Sequence, residues 1–217
     1  MKLYSYCLKN DSGAAPNPYW GVCTLVICKP EIRKTANIGD WIVGIGSANS
    51  PIGDISDCVV YAMKVTDRKT MKEYDQFCKN RLQGKIPDCN HKTYARRVGD
   101  CIYDYSASDN PELRDGVHNE GNRGTDLGGE YALLSDYFWY FGDKPVRLPK
   151  GLLPIRHPSP GHKSNANDPY IFEFIKWIEN LPFQPNKIHG EPQMRDQIGA
   201  DGCKGDRAKS DCTKVTC

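Results

Sequence analysis

The chain has 217 residues, enough for one large domain that buries most of its apolar surface without metal or disulfide support. Lys and Arg number 29 against 27 Asp and Glu, and this near-neutral balance excludes a protein that coats nucleic acid through an overall positive field. No apolar run is long enough to span a bilayer, and no signal-peptide core follows Met1. We therefore expect a soluble, cytoplasmic protein with no membrane partner.

The first part of the chain carries strand signals around one short helix. Apolar runs at residues 2–8 and 22–28 predict strands, and Pro30 at a first-turn position predicts a helix over 30–36. A Gly-Asp turn then opens a strand over 41–47 that ends in glycines, where another backbone or a flat ligand can come close. The β-branched run at 58–65 is expected to pair with it.

The second part of the chain carries two amphipathic helix patterns. Thr70 and Glu73 form a capping box ahead of a helix that continues to Leu82. Asp168 as N-cap and Pro169 in the first turn predict a second helix ending near residue 181. A strand pair is expected at 131–135 and 137–141. Because the apolar pattern fades afterwards, we predict a domain over 1–181 and an extended or loosely packed tail over 182–217.

Ten cysteines are present, and none forms a CxxC pair. Cys7, Cys23, Cys28 and Cys58 fall within apolar runs, where a free thiol behaves as a small core hydrophobe. The C-terminal pattern Cys203-x8-Cys212-x4-Cys217 matches no common zinc-ligand spacing. We therefore predict no metal site, and no cofactor is indicated.

The order strand, short helix, Gly-Asp turn, glycine-ended strand, loop, strand resembles the start of PUA-like barrels of the EVE and YTH type. Those barrels hold a nucleobase in a pocket at such a strand end. The resemblance implies an α+β fold: a PUA/EVE-like mixed β-barrel with covering helices and an extended C-terminal tail.

Several longer strings resemble a second, more specific family. They are Ala15-Pro16-Asn17-Pro18-Tyr19-Trp20-Gly21, Cys28-Lys29-Pro30-x-Ile32-Arg33, Gly39-Asp40-Trp41-Ile42-Val43-Gly44, Leu133-Leu134-Ser135-x-x-Phe138-x-Tyr140-Phe141-Gly142 and Gly161-His162-Lys163-Ser164-Asn165-Ala166-Asn167. In this order they are similar to the family called nucleotide modification associated domain 2, over roughly residues 1–181. Members are described as DNA base hypermodification proteins of bacteria and their viruses. The resemblance implies DNA or a nucleotide as partner, together with other DNA-modification enzymes, and supplies no reaction.

Aromatic and amide side chains suggest where a base would bind. A base pocket needs a planar face for stacking and an amide or backbone edge for reading. The candidate nucleobase-binding residues are Asn17, Trp20, Trp41, Gly44, Gly46 and Ser47. Trp41 opens an apolar strand, where an aromatic side chain is more often part of a core, so Trp20 is the better stacking candidate.

The segment 161–167 lies directly before a predicted helix start, where backbone N–H groups favour anions. We predict phosphate contacts from Lys163, Ser164, Asn165 and Asn167, with His162 as a further donor. The alternative is that these polar residues only fold a loop and cap the helix.

General acid–base chemistry needs an imidazole or carboxylate and a partner that tunes it. The candidates are Asp40, Asp100, Asp104, His118, Asp126, Asp136 and His162, of which Asp40, His118 and His162 are the predicted catalytic set. The chain lacks a phosphate-binding P-loop, a Gly-x-Gly-x-x-Gly motif, a His-x-Asp iron motif and a Cys-His protease signature. An enzyme here would be of unfamiliar type.

Two functions follow. In the first, the domain binds a nucleobase or nucleotide in a barrel pocket and acts in DNA base hypermodification. In the second, it is a non-catalytic reader that recognises a flipped, modified base in DNA or RNA. A titratable pair facing the pocket favours the enzyme, whereas an aromatic cage without such a pair favours the reader.

Overall fold

The structure is a computed structural model that describes residues 1–159 and 161–195. Its α-helices are α1 (Pro30–Thr35), α2 (Met71–Arg81), α3 (Tyr94–Arg97), α4 (Arg123–Gly128) and α5 (Ile171–Glu179). Its strands are β1 (Leu3–Cys7), β2 (Cys23–Leu25), β3 (Trp41–Ile45), β4 (Cys58–Lys64), β5 (Asp67–Thr70), β6 (Tyr103–Asp104), β7 (Glu112–Leu113), β8 (Tyr131–Ser135), β9 (Phe138–Tyr140), β10 (Val146–Arg147) and β11 (Lys187–Ile188). Short 3₁₀ helices cover Gln83–Lys85, Glu120–Asn122, Lys150–Ile155 and Asn165–Tyr170.

Two sheets form the centre of the described structure. The larger has the order β1-β3-β4-β9-β11, with β10 paired to β4. In it β1 runs parallel to β3, and β3 runs antiparallel to β4 with a register shift between Gly44 and Ile45. The smaller sheet has the order β2-β8-β5, and β6 and β7 form a separate ribbon. The predicted α+β class and the pairing of the glycine-ended strand with the next strand are confirmed.

The predicted PUA/EVE-like barrel is not confirmed, because the sheets of the described residues do not close on themselves. At one edge, β1 pairs with no further strand of the described residues and meets an isolated bridge between Ser5 and Lys163. The two strands expected at 131–141 also do not pair with each other, since β8 belongs to the smaller sheet and β9 to the larger. The Ser135 hydroxyl bonds both backbone groups of Tyr137 and turns the chain from one sheet to the other.

Several local predictions are confirmed. Residues 41–45 are a strand, α1 begins at Pro30, and Thr70 and Glu73 form the expected capping box of α2. Asp168 is not the N-cap of the last helix, because it lies inside the 3₁₀ helix that precedes α5. The buried Asn167 amide donates to Leu3 O at 2.9 Å and ties this tighter turn to β1 before the α-helix begins.

The core has three apolar layers. One lies on the face of the large sheet that α5 covers, where the rings of Trp41 and Trp139 stack at 6.2 Å between centroids and Phe174 packs edge-on against Trp41. A second lies between the two sheets, and a third packs α2 against the small sheet. These layers hold β2, whose end leads into the candidate site.

The segment after residue 181 continues along the large sheet in its described part. β11 pairs with β9, and His189 N donates to Tyr140 O at 2.8 Å. The domain boundary at 181 stays a prediction, and Cys203, Cys212 and Cys217 lie outside the described residues.

Among the helices that the structure describes, none combines the length and the apolar character needed to cross a membrane.

A buried carboxyl group joins the N-terminal segment to the large sheet. Asp11 is fully buried, and the Tyr140 hydroxyl lies 2.8 and 2.7 Å from its two oxygens. Burial raises the pKa of Asp11 from 3.8 to about 6, while the hydrogen bonds from Tyr140 and Gly13 act in the opposite direction. The folded protein therefore binds this proton more tightly than the unfolded chain does.

Asp11→Asn is expected to remove a pH dependence of stability. The stabilisation from the raised pKa is fully present below about pH 4 and is lost as pH rises through about 6. The free energy of unfolding of wild type relative to Asp11→Asn should therefore fall by about 3 kcal/mol between pH 3.8 and 7, measured by urea unfolding. Asp136→Asn, on an exposed turn, is the control for losing one carboxylate. If the free energy of unfolding depended on pH in the same way for wild type and Asp11→Asn, the raised pKa of Asp11 would be contradicted.

Candidate active site

Three side chains from distant parts of the chain form one hydrogen-bonded row. Cys28 follows β2, His118 lies in the loop after β7, and Asp126 lies in α4. The Cys28 Sγ is 3.6 Å from His118 Nε2, and His118 Nδ1 is 2.6 Å from Asp126 Oδ2. The exposed fraction is 6% for Cys28 and 10% for the His118 side chain, whereas Asp126 is fully buried. The carboxylate end of the row is therefore fully enclosed, and the imidazole and thiol are nearly so.

Cys28 stands on a sharp turn between a strand and a helix. Its φ is 61° and that of Lys29 is 43°, both in the left-handed region that side chains with a Cβ rarely adopt. Each such residue costs about 1–3 kcal/mol and persists only where its surroundings hold it. The Cys28 N–H donates to Asp126 Oδ1 at 2.9 Å, and Arg33 Nε donates to Cys28 O at 2.7 Å. A strained strand-to-helix turn is also how hydrolases present a nucleophile.

The Asp126 carboxylate is bonded on both oxygens. Oδ1 accepts from the Cys28 backbone, and Oδ2 accepts from His118 Nδ1 and from the Tyr103 hydroxyl at 3.1 Å. Burial raises the pKa of Tyr103, and the neighbouring Asp126 charge raises it further, so the phenol stays protonated and donates. The carboxylate therefore fixes both the imidazole plane and the cysteine backbone.

Arg33 stabilises this arrangement through hydrogen bonds to the backbone. It is fully buried, and its guanidinium donates to the backbone oxygens of Cys28, Tyr131 and Asp126. Burial lowers the pKa of Arg33 to about 10, which leaves it charged at neutral pH. Gly129 lets the guanidinium pack directly on the chain, because a Cβ there would overlap it. One side chain thus joins α1, α4 and β8.

The row has the geometry of a nucleophile, a base and an orienting acid. A carboxylate on Nδ1 favours the tautomer with hydrogen on Nδ1, which leaves the Nε2 lone pair facing the thiol. The imidazole can then remove the thiol proton, and the thiolate is the nucleophilic form of cysteine. The constellation is recognised by these roles and not by its position in the chain.

A metal ion is the other ligand that this set suggests, since Cys28, His118 and Asp126 place one ligand atom each within 4.8 Å of one another. Both Asp126 oxygens, however, already accept N–H or O–H donors. Only the Cys28 thiol and His118 Nε2 remain, whereas catalytic zinc sites have three protein ligands. The donor set therefore fits proton transfer better than metal binding.

Aromatic and basic side chains lie beside Cys28. Lys29 Nζ is 4.8 Å from the ring centroid of Tyr6, and the Tyr6 and Tyr61 hydroxyls are 2.9 Å apart. His162 lies 5.8 Å from the ring of Tyr4. Burial lowers the pKa of His162, opposed by Glu31 and assisted by the charges of His157 and Lys29. Lys29 thus brings a cation next to Cys28, whereas Tyr4, Tyr6 and Tyr61 are buried in the core.

Of the three predicted catalytic residues, the structure brings His118 into the row. Asp40 lies elsewhere, where it accepts from the Lys2 backbone N–H at 2.7 Å and from the Asn37 backbone N–H at 2.9 Å. His162 lies near Tyr4 at the edge of β1. The catalytic roles of Asp40 and His162 stay predictions.

The predicted base-binding side chains are dispersed. The buried Asn17 accepts from Lys85 Nζ at 2.8 Å and donates to Val98 O at 2.9 Å. Trp41 lies in the core, whereas Trp20 is 43% exposed and packs on Gly84. Their nucleobase roles stay predictions.

Protein side chains fill the space above the two strand-end glycines. A Cβ on Gly44 would overlap the Tyr61 ring, and one on Gly46 would overlap Ile55. The neighbouring Ser47 hydroxyl accepts from the Asn49 backbone N–H at 3.1 Å. The glycines therefore permit close packing inside the protein, and their part in base binding is untested.

The predicted phosphate-binding segment packs against β1. Lys163 Nζ donates to Pro154 O at 2.9 Å, and Asn165 Oδ1 accepts from Lys2 Nζ at 3.4 Å. Ser164 O accepts from the backbone of Asn167, whose own side chain is buried. Phosphate contact from these residues stays a prediction.

Cys28 was predicted only as a core thiol, and its role in the row was missed. His118 and Asp126 lie 90 and 98 residues further along the chain, so no short motif contains the set. One signal was present: Cys28 immediately precedes the Lys-Pro start of α1, at the end of an apolar strand. A thiol at a strand-to-helix turn is a position that presents a nucleophile.

No curated protein and no solved structure matched the chain. A family model did match, over residues 1–198. That match covers most of the 217 residues and includes β1 to β11 with all three members of the row. The chain belongs to the family of nucleotide modification associated domain 2, which links it to nucleotide or DNA modification.

Proposed function

We propose that this protein is an enzyme of nucleotide or DNA base modification that works by covalent catalysis. Cys28 is the nucleophile, His118 is the general base, and Asp126 is the positioning residue. The observation that carries the proposal is the continuous row from Sγ through the imidazole to a buried carboxylate, with separations of 3.6 and 2.6 Å.

The chemistry of this row is group transfer at an electrophilic carbon, such as a carbonyl or amidine carbon. His118 Nε2 takes the thiol proton as Cys28 Sγ forms a bond to that carbon, and the imidazolium returns the proton to the leaving group. The bond from that carbon to the leaving group breaks in this step. A second nucleophile, water or an amine, then attacks the same carbon and gives its proton to His118, and the carbon–sulfur bond breaks as this proton returns to the Cys28 sulfur. No electron is gained or lost, so the cycle needs no redox partner.

DNA or a nucleotide is the substrate class that the family favours. Lys29, the residue after Cys28, offers positive charge next to the thiol, as a phosphate-bearing substrate requires. In this proposal Lys163, Ser164, Asn165 and Asn167 contact phosphate. Trp20 gives the stacking face, and Asn17, Trp41, Gly44, Gly46 and Ser47 shape the base site. Other DNA-modification enzymes would supply or finish the modified base.

The reader function is the second candidate, and one observation favours it. Trp20 is held in a left-handed conformation with φ 68° and keeps 43% of its surface exposed. A fixed, exposed indole suits stacking on a flipped base. A reader, however, has no use for a thiol, an imidazole and a carboxylate in one row, so we place the enzyme first.

Mass spectrometry of nucleosides tests the proposal. DNA is taken from four strains that all carry the genes neighbouring this one. Three of them express wild type, Cys28→Ser or Cys58→Ser, and the fourth lacks this protein. A modified nucleoside should be present with wild type and should fall at least about 100-fold with Cys28→Ser. Cys58→Ser is the control, because that buried thiol lies outside the row. A nucleoside profile unchanged by Cys28→Ser or by removing the protein would refute catalysis and favour the reader.

A further inference from the structure

A cavity lies at the end of β3, and none of the three residues of the Cys28 row lines it. Its volume is about 210 Å³, and it is bounded by the end of β1, the 46–49 turn and the segment that follows the 3₁₀ helix Lys150–Ile155. Nine residues line it, and the side chains that matter for its chemistry are Cys7, Ser47, Asn49, Arg156 and His157. None of the nine is acidic. No carboxylate lines the cavity, and Asp54 outside it interacts electrostatically with Arg156 without forming an ion pair in the described residues.

Two donors in this cavity have no acceptor within residues 1–159 and 161–195. The Arg156 guanidinium, on an exposed residue, makes no hydrogen bond or ion pair there. The nearly buried Ser47 hydroxyl accepts from Asn49 N at 3.1 Å but has no acceptor for its own hydrogen in the same ranges. Ser56 is not counted as a donor, because Asp54 outside the cavity already accepts from it.

We propose that this cavity binds a phosphate group. A guanidinium and a hydroxyl that line one cavity, with no carboxylate in the lining, match the oxygens of a phosphate, and Arg binds phosphate in a bidentate manner. The volume is below the roughly 300 Å³ at which pockets begin to enclose a whole small-molecule ligand. It therefore suits a phosphate with part of its sugar, and leaves the rest of the ligand outside.

The site shares Gly46 and Ser47 with the base site of the proposed function and rests on it to that extent, but phosphate binding here does not depend on Cys28. Arg156 and His157 line the cavity, and His157 and Lys29 both interact electrostatically with His162. The phosphate is either that of a free nucleotide or that of a DNA backbone, because both present the same oxygens. The experiment separates these two sources.

Binding is measured for inorganic phosphate, a deoxynucleoside monophosphate and a short single-stranded deoxyoligonucleotide. Calorimetry serves for the first two ligands, and fluorescence anisotropy at several salt concentrations serves for the third. Arg156→Gln should weaken binding about 10-fold, because a charge-assisted hydrogen bond is lost from a folded site. The ligand is a DNA backbone phosphate if wild type binds the oligonucleotide and if the affinity depends less on salt concentration in Arg156→Gln than in wild type. Binding of the mononucleotide alone identifies a free nucleotide.

Arg147→Gln is the matched control. Arg147 is exposed on β10 and already paired with Asp57 at 2.9 Å, so its loss should change affinity less than about twofold. Cys7 gives an independent readout, since a bound nucleotide should slow its alkylation as followed by mass spectrometry. Equal affinity in wild type and Arg156→Gln, or alkylation of Cys7 unchanged at saturation, would overturn the site. Cys28→Ser should bind phosphate as wild type does. The phosphate site and the catalytic role of Cys28 are therefore tested by different variants, and either can fail without the other.

Discussion

Replacing His118 with Ala is expected to lower the rate at which Cys28 reacts with iodoacetamide at pH 7 by about 100-fold. The imidazole Nε2, 3.6 Å from the thiol, is the nearest base that the structure gives it, and alkylation requires the thiolate. The rate is measured for each cysteine separately by mass spectrometry of peptides. This readout needs no knowledge of the natural substrate.

Asp126→Asn should lower the alkylation rate of Cys28 by a similar factor, for a different reason. The Asn oxygen can keep the bond from the Cys28 N–H, which places its amide NH₂ against His118 Nδ1. Nδ1 must then accept, so the hydrogen moves to Nε2 and the lone pair facing the thiol is lost. A purely structural carboxylate would instead be replaced by Asn with little change in thiol reactivity.

The controls for this experiment lie within the same molecule. Burial raises the pKa of the Cys23 and Cys58 thiols, so both should react slowly and equally in all variants. His91→Ala removes an exposed imidazole from another loop. In urea the Cys28 rate should no longer depend on His118, because the row exists only in the folded protein. Equal rates for folded wild type and His118→Ala would show that the imidazole does not activate the thiol.

Local chemistry made much of the fold predictable. The Thr70–Glu73 capping box, the first-turn Pro30 and the β-branched run of β4 each depend on neighbours a few residues away, and each appears where expected. The barrel depended on strand pairing over long distances, which one sequence does not encode as a pattern. Ser135 redirects the chain between sheets through two hydrogen bonds, and nothing in its residue type announces this.

The candidate site was predictable only in part, for a related reason. A histidine and a carboxylate in a polar loop indicated acid–base chemistry, and the structure joins His118 with Asp126. Their third partner comes from a strand-like run in which a thiol is indistinguishable from a core residue. A glycine at a strand end likewise shows that something approaches the backbone, but at Gly46 the approaching group is Ile55.

The second large effect is expected at Arg33, because it holds the turn that carries Cys28. Arg33→Met would leave the backbone oxygens of Cys28, Tyr131 and Asp126 without their donor inside the protein. Each buried carbonyl that loses its partner costs about 1–3 kcal/mol. The free energy of unfolding should therefore fall by about 3–5 kcal/mol, measured by denaturant unfolding.

Lys34→Met, the next residue along α1, is the matched control. Lys34 is exposed and pairs with Glu130 at 2.7 Å on the surface, where solvent screens the pair and its contribution to stability is small. Arg33→Lys keeps the charge but cannot reach all the oxygens that the planar guanidinium joins. Its free energy of unfolding should therefore lie between those of wild type and Arg33→Met. Thiol reactivity at Cys28 should fall along the same series, because the left-handed turn persists only while its backbone oxygen is held. Equal stability of Arg33→Met and Lys34→Met would mean that the turn is held by other contacts, with Asp126 the first to examine.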